Sequence, residues 1–463
     1  MNVLITISLL AILVLYLGLF KAAKALLPVS IIGLLVALGL TASHWDVTNG
    51  VRPIFSNMML FDNFAAAFSG IAILSTILIL LLSKDYFERI SSNVAEYYTI
   101  MLFALSGIIM IVSYHNLSML FIGIETMSVS LYILTGIKKR DFGSNEAALK
   151  YFLMGAFSTG FLLFGITLLY GASGSFDLAE IKDYIASDPG NVSPIFYAGL
   201  LLMIIGFCFK AGAAPFHFWT PDVYEGAPTL ITAFMSTVVK TAVFAAFLRL
   251  FHYCFAVQSL NDFWVPVLVV LASISLLIGN VTAVYQQHFK RMLAYSSISH
   301  VGYMLFAFVT LNASSDNAVF VYAAAYTIAS IIAFAALMVV QQQTGNDSFD
   351  SFNGLAKKNP LLASTLTISM ISLAGIPLTA GFIGKFMMFT GALSGLHVWL
   401  VVFAVLNAII GIAYYFRVVI AMYFKDAERN YLLVSGYFKF VLIISALATI
   451  ILGVYPGFIA NLI

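Results

Sequence analysis

Apolar stretches of bilayer-spanning length recur along the whole of this chain, and only short loops separate them. A helix needs roughly 20 apolar residues to cross a membrane, because its backbone N–H and C=O groups must be satisfied internally in lipid. About fourteen segments meet that requirement. They lie near 3–20, 26–42, 62–82, 96–113, 115–136, 147–170, 196–219, 229–253, 263–285, 291–311, 317–341, 361–391, 396–423 and 436–456. The expected fold class is an all-α polytopic membrane protein. With 62% hydrophobic and only 9% charged residues, a soluble domain is excluded.

The loops set the orientation. Odd-numbered loops carry Lys21, Lys24, Lys84, Arg89, Lys138, Lys139, Arg140, Lys290, Arg291, Lys357, Lys358, Lys425 and Arg429, whereas even-numbered loops offer little beyond Arg52 and Lys182. The positive-inside rule then makes the odd loops cytoplasmic and places both termini on the opposite, outer face. A formal net charge of +2, dispersed over short loops, argues against a nucleic-acid partner. Cys208 and Cys254 each stand alone in an apolar run, which offers neither a disulfide framework nor a cluster site. The apolar N-terminus lacks a basic n-region and a small-residue cleavage site, so it reads as a retained first helix. Within the connection Gly171–Pro194, Leu178, Ile181, Tyr184 and Ile185 share one helical face, with Asp177 and Glu180 near its start. That pattern predicts a short surface helix.

Few charges fall far from the membrane edges. Glu125, Lys210, Lys240 and Lys385 each lie inside a different apolar segment. A lysine at the centre of a lipid-facing helix would cost roughly 2.5–3.5 kcal/mol, so these groups should face the protein interior or a watery path. The plain alternative is that they pair and tie helices together. One acid cannot neutralise three lysines, which favours a hydrated proton or cation route. Two helices read as broken, each beside one of these lysines: Ala211-Gly212-Ala213-Ala214-Pro215 follows Lys210, and Leu373-Ala374-Gly375-Ile376-Pro377 precedes Lys385. Proline removes a backbone donor, and interrupted helices in corresponding halves mark a transporter's site. The echo suggests a division into three leading helices (1–90), one five-helix repeat (91–258), a second (259–425) and a trailing helix (426–463). An odd count per repeat makes the two repeats inverted.

His300, early in a helix and beside serine hydroxyls, and His217, just after the Pro215 break, are candidate proton carriers or satisfied core histidines. His44, His115, His252, His288 and His397 fall near helix ends and read as interfacial. Lys150, at a helix start on the expected cytoplasmic side, is either a proton uptake point or a snorkelling lysine.

The run Phe209-Lys210-Ala211-Gly212-Ala213-Ala214-Pro215-Phe216-His217-Phe218-Trp219-Thr220-Pro221-Asp222-Val223-Tyr224-Glu225-Gly226-Ala227-Pro228-Thr229 resembles the signature of the antiporter-like subunits of proton-translocating NADH:quinone oxidoreductase, respiratory complex I. Lys290–Tyr303 and Ser372–Phe382 extend the resemblance, which is greatest to the subunit N (subunit 2) branch and covers about residues 90–425 well. The resemblance implies that Glu125 and Lys210 are the paired glutamate and lysine of the fifth and seventh helices. It likewise makes Lys240 the central lysine, His300 the bridging histidine and Lys385 the terminal lysine. A lysine at that last position is expected of subunit N, whereas subunit M would carry glutamate. Complex I partners, with subunits M and K as neighbours, are implied, together with protons, water and lipid. NADH, FMN, iron–sulfur clusters and quinone are implied for other subunits, with no cofactor or metal in this chain. The expected mechanism passes a proton from the cytoplasm to Lys240, past His300 to Lys385 and outward, with the Glu125–Lys210 pair as gate. The alternatives are a subunit of a multisubunit cation/proton antiporter and a non-pumping scaffold of the membrane arm.

Overall fold

The computed structural model describes residues 2–45, 53–87, 94–309, 311–312, 314–394, 397–426 and 433–460. Arg52, Arg89 and Arg429, which help orient the loops by sequence, lie outside the described residues. The helices in chain order begin with α1 (Asn2–Leu19), α2 (Ala23–Ala42), α3 (Asn63–Phe87), α4 (Val94–Ser113), α5 (Leu117–Thr135), α6 (Phe142–Ser173) and α7 (Leu178–Ser187). The central set is α8 (Pro194–Ala211), α9 (Trp219–Gly226), α10 (Thr229–Phe234), α11 (Lys240–Tyr253), α12 (Gln258–Tyr285), α13 (Phe289–Val309) and α14 (Ser315–Thr344). The chain closes with α15 (Leu355–Lys358), α16 (Pro360–Ala374), α17 (Ala380–Ser394), α18 (Val398–Phe424), α19 (Gly436–Val454) and α20 (Gly457–Ala460).

Among the described residues, 13 continuous helical segments are long and apolar enough to span a membrane. The remaining expected span, 361–391, is two half-helices, α16 and α17. Both anticipated breaks are present. α8 and α16 end on Gly212 and Gly375, at φ of 79° and 83°, a left-handed backbone that only glycine adopts without strain. The freed backbone groups find partners inside the protein, as membrane depth demands. Ala214 N–H donates to Ser275 Oγ at 2.9 Å, and Gly381 N–H donates to Ser372 Oγ at 3.1 Å. A third irregularity has no sequence signal: α10 and α11 are joined by a π-helical turn, Met235–Val239, immediately before Lys240.

Small residues let the helices pack closely. A Cβ placed on Gly107 of α4 would sit 2.7 Å from the carbonyl oxygen of Gly123 on α5, so those two backbones touch. The segment Thr229–Tyr253, with α13 and α14, forms the enclosed centre, whereas α1 and α2 are largely uncovered.

The two membrane faces are distinct. Tyr86, Lys138, Glu225, His288 and Asp347, from successive odd loops and helix ends, line one cavity, which marks the face where the basic odd-numbered loops gather, hereafter the basic face. On the opposite face Asn57 donates to Asp177, Leu178 N–H donates to His115 O, and Lys182 lies 4.6 Å from the Tyr253 ring centre. The predicted surface helix forms there as α7, with Asp177 accepting from Ala179 N–H as its cap and Leu178, Ile181 and Ile185 buried beneath. His115, beside the start of α5, is buried because the Met58 segment and the start of α7 close over it.

Candidate functional site

Lys240 is 2% exposed and opens α11 at the exit of the π turn. Its ammonium donates to Ser297 O at 2.8 Å and makes a short contact with Ser297 Oγ. Ser297 precedes His300 by one turn of α13, so the lysine's partner and the imidazole lie on neighbouring positions of one helix. His300 Nδ1 is hydrogen-bonded to the Tyr322 hydroxyl at 2.7 Å, and its Nε2 to the Tyr415 hydroxyl at 3.0 Å. Tyr415 also contacts Ser296 Oγ. Tyr322 packs directly on Gly384, where an added Cβ would lie 2.6 Å from its ring, and thereby reaches the residue beside Lys385.

Lys385 turns back across the second break. Its ammonium donates to Leu373 O at 3.1 Å and Ala374 O at 3.0 Å, the last carbonyls of α16. A helix C-terminus carries partial negative charge, so a half-helix end receives this lysine without a carboxylate. The Tyr303 ring, 4.5 Å away, covers the ammonium from another side. Ser296, Tyr415, His300 and Tyr322 therefore form one hydrogen-bonded run, and with Lys240 on the adjacent Ser297 and Lys385 beside Gly384 they make up a buried polar file. Hydroxyls and a neutral imidazole each donate and accept, which is what stepwise proton passage needs.

Lys210 stands apart from the expected pair. Its ammonium donates to Ser128 Oγ at 2.9 Å and Tyr132 Oη at 3.4 Å, both on α5. Glu125 does not reach it: Glu125 Oε1 is buried with no hydrogen-bond partner. The reason lies in α5 itself, which presents Ser128 and Tyr132 to Lys210 at three and seven residues beyond Glu125. The Glu125–Lys210 pair expected from sequence is thus not formed in this structure.

Lys150 sits in a surface network on the basic face. It pairs with Glu146 at 2.7 Å and Asp222 at 2.8 Å, while Arg291 pairs with Asp222 at 3.1 Å and also with Glu225. Burial alone would push the Asp222 carboxyl up, but the hydrogen bonds and charges of Lys150 and Arg291 hold it below the usual carboxylate range. His217 is buried with Nδ1 unpartnered and its ring stacked on Phe218 at 4.8 Å; no contact joins it to the file. Among the described residues no cluster of histidine, cysteine and carboxylates is placed to hold a metal.

Three features escaped the sequence. Lys290, read as a loop cation, is buried. Arg249 forms a two-pronged pair with Asp62 at 3.0 and 2.6 Å. The tyrosines of the file gave no signal, because in an apolar helix a buried hydroxyl looks like ordinary aromatic packing.

A bundle of membrane-spanning helices with two broken helices and a mid-depth file of lysines, histidine and hydroxyls defines the antiporter-like class of membrane subunits. The family described as NADH:quinone oxidoreductase/Mrp antiporter, TM matches residues 113–411. The chain belongs to that family, on its NADH-quinone oxidoreductase subunit N branch. It is 40% identical to NADH-quinone oxidoreductase subunit N of Flavobacterium psychrophilum over 463 residues, covering 100% of both chains. It is 41% identical to subunit N of Trichlorobacter lovleyi, over 95% of this chain and 90% of that protein. Among solved structures, a chain of respiratory complex I from Thermus thermophilus superposes with a TM-score of 0.84 at 30% identity, over 99% of this chain and 98% of its own. A chain of the Mrp complex from Dietzia sp. DQ12-45-1b shares the fold, with a TM-score of 0.84 at 18% identity over 99% of this chain and 95% of its own.

Proposed function

We propose that this chain moves protons across the bacterial inner membrane as a membrane-arm subunit of NADH:quinone oxidoreductase, driven by quinone reduction elsewhere in the complex. The observation that carries the reading is the file itself: the hydrogen-bonded run Ser296–Tyr415–His300–Tyr322 lies between two buried lysines, Lys240 on the adjacent Ser297 and Lys385 beside the glycine that Tyr322 packs on. A proton held on Lys240 passes to the hydroxyl and imidazole groups around His300, then to Lys385, and leaves on the face opposite the basic loops. The basic face is cytoplasmic in this scheme and both termini are periplasmic. Residues 91–258 and 259–425 act as two inverted repeats, with a lysine-bearing broken helix in each. Glu125, unpaired here, closes on Lys210 in the alternate state of the gate. Subunits M and K are the neighbours, lipid covers the remaining apolar faces, and NADH, FMN, iron–sulfur clusters and quinone are held by other subunits.

NADH-driven proton uptake into inverted membrane vesicles tests the reading directly. Lys240→Met is expected to lower uptake by roughly tenfold or more, the scale of a lost proton-transfer group, while the complex still assembles. Native uptake in that variant would reduce the chain to a scaffold.

A further inference from the structure

A cavity of about 630 Å³ opens on the basic face, outside the file described above. Its walls include Tyr86, Lys138, Glu225, Thr229, Lys290 and Gln341. Lys290 is 4% exposed, and its ammonium donates to Glu225 O at 2.9 Å and Ala227 O at 2.5 Å. Both partners are carbonyl oxygens at the end of α9. Its sequence neighbour Arg291 does the opposite, gripping the carboxylates of Glu225 and Asp222. Two adjacent cations thus hold α9 differently: Arg291 through fixed charge pairs, Lys290 through neutral oxygens. A lysine without a bound carboxylate can give up its proton without leaving an anion stranded.

Lys290, in the cavity wall, also shares α13 with Ser297, the partner of Lys240. Lys290 and Ser297 are seven residues apart on α13, which puts them on one helix face about 10.5 Å apart, two turns. The interval is flanked by hydroxyls. Tyr224, on α9, lies near Ser297 and Ser236, and Ser236 is hydrogen-bonded to Tyr326 at 2.7 Å. Thr232 Oγ1 donates to Tyr224 O at 2.9 Å, and Thr229 Oγ1 to Gln341 at 2.7 Å. Hydroxyl-bearing residues therefore lie both at the cavity wall and beside the oxygen that receives the Lys240 ammonium.

We infer that this cavity is the mouth through which protons reach Lys240, and that Lys290 is the residue that takes them up. The inference rests on the proton-translocation reading. In the uptake step a cavity water carrying an excess proton protonates the neutral Lys290 amine, forming one N–H bond and leaving water. Lys290 then releases a proton to the hydroxyls around Tyr224 and Ser297, and the neutral Lys240 amine receives it. One proton moves at each step, and nothing is oxidised or reduced.

The test compares the native complex with Lys240→Met, Lys290→Met and Lys290→Arg in inverted vesicles, reading NADH-driven proton uptake and assembly. Arginine keeps a charge and donors for the Glu225 and Ala227 carbonyls but does not deprotonate, so it preserves a cap and abolishes a carrier. Both Lys290 variants are expected to lose roughly tenfold or more in uptake with assembly intact. Native uptake with arginine would make Lys290 a cap for α9 and overturn the inference. A second probe leaves Lys290 untouched: Gln342→Cys, at an exposed wall position, is labelled from the basic face with a bulky methanethiosulfonate. Uptake is expected to fall relative to the identically treated native complex, and unchanged uptake would overturn the inference. If Lys240→Met pumps normally, the translocation reading fails and takes this inference with it. If Lys240→Met is inactive while the Lys290 variants and the labelled complex pump normally, this inference alone fails.

Discussion

At the scale of single residues, the buried cations divide by what receives them. Lys210 donates to serine and tyrosine hydroxyls, Lys240 to both the carbonyl and the hydroxyl of Ser297, and Lys385 and Lys290 to backbone carbonyls alone. Arg249 alone among them is locked to a carboxylate, bidentately to Asp62, with its guanidinium 4.8 Å from the Phe64 ring centre. Asp62 also accepts from Ala65 N–H at the start of α3, so this pair anchors one helix end to another. Arg249→Met should strand the carboxylate and destabilise the chain by about 3 kcal/mol, the lower end for a broken buried pair because Asp62 retains some exposure. Thermal unfolding of the purified complex would register it, and Arg249→Met with Asp62→Leu should recover part of the loss. Within the file, Tyr322→Phe keeps the ring against Gly384 but removes the hydroxyl from His300. Proton uptake should drop several-fold with unchanged assembly, while native uptake would show that protons bypass Tyr322. Sequence indicated Lys240, His300 and Lys385 because charge and imidazole in apolar runs are conspicuous. It did not indicate Lys290 or Arg249, since a cation at a helix end reads the same whether its stem turns inward or toward water.

Helix breaks and helix clamps are properties of elements. Gly375 combines a left-handed backbone with a contact in which an added Cβ would lie 2.7 Å from Lys385 Cδ. Gly375→Ala should therefore cost about 1–2 kcal/mol in backbone strain and also push Lys385 off the α16 carbonyls. The expected outcome is lost proton uptake exceeding lost thermal stability; native uptake would show that the half-helix end does not position Lys385. α9 is clamped from outside by Lys150 and Arg291 acting on Asp222. Because the folded Asp222 carboxyl sits below its unfolded value, its stabilisation is complete above the ordinary carboxylate range and is lost only as pH falls through the depressed value. The clamp is thus constant between about pH 6 and 8, and Asp222→Asn should weaken stability there without altering the shape of the pH–uptake profile. Both breaks were legible because glycine and proline announce them. The π turn before Lys240 was not: its residues, Met235-Ser236-Thr237-Val238-Val239, carry no breaker, and one extra residue in a helical turn leaves no mark on an apolar pattern.

For the whole molecule, hydrophobic runs and loop charges were enough to place nearly every span, because lipid leaves a chain few ways to satisfy its backbone. What they could not show was which helices lie innermost, since an apolar face meets a neighbouring helix or lipid with similar chemistry. The structure puts α11, α13 and α14 at the centre, and those three bring Lys240, His300 and Tyr322 together. The resulting interior bears on which ion is carried, a question left open by a fold shared with an Mrp complex. Its mid-depth ionisable groups are mainly ammonium donors already directed at the available serine and carbonyl oxygens. A sodium ion would have to take those oxygens from the lysines, and would be repelled by every lysine that is protonated. A proton instead becomes part of the lysine it reaches. NADH-driven pumping should consequently be the same in sodium-free and sodium-containing media and remain sensitive to Lys240→Met in both. Pumping that stopped when sodium was withdrawn would reassign the file to cation exchange, with the lysines setting the field around another ion.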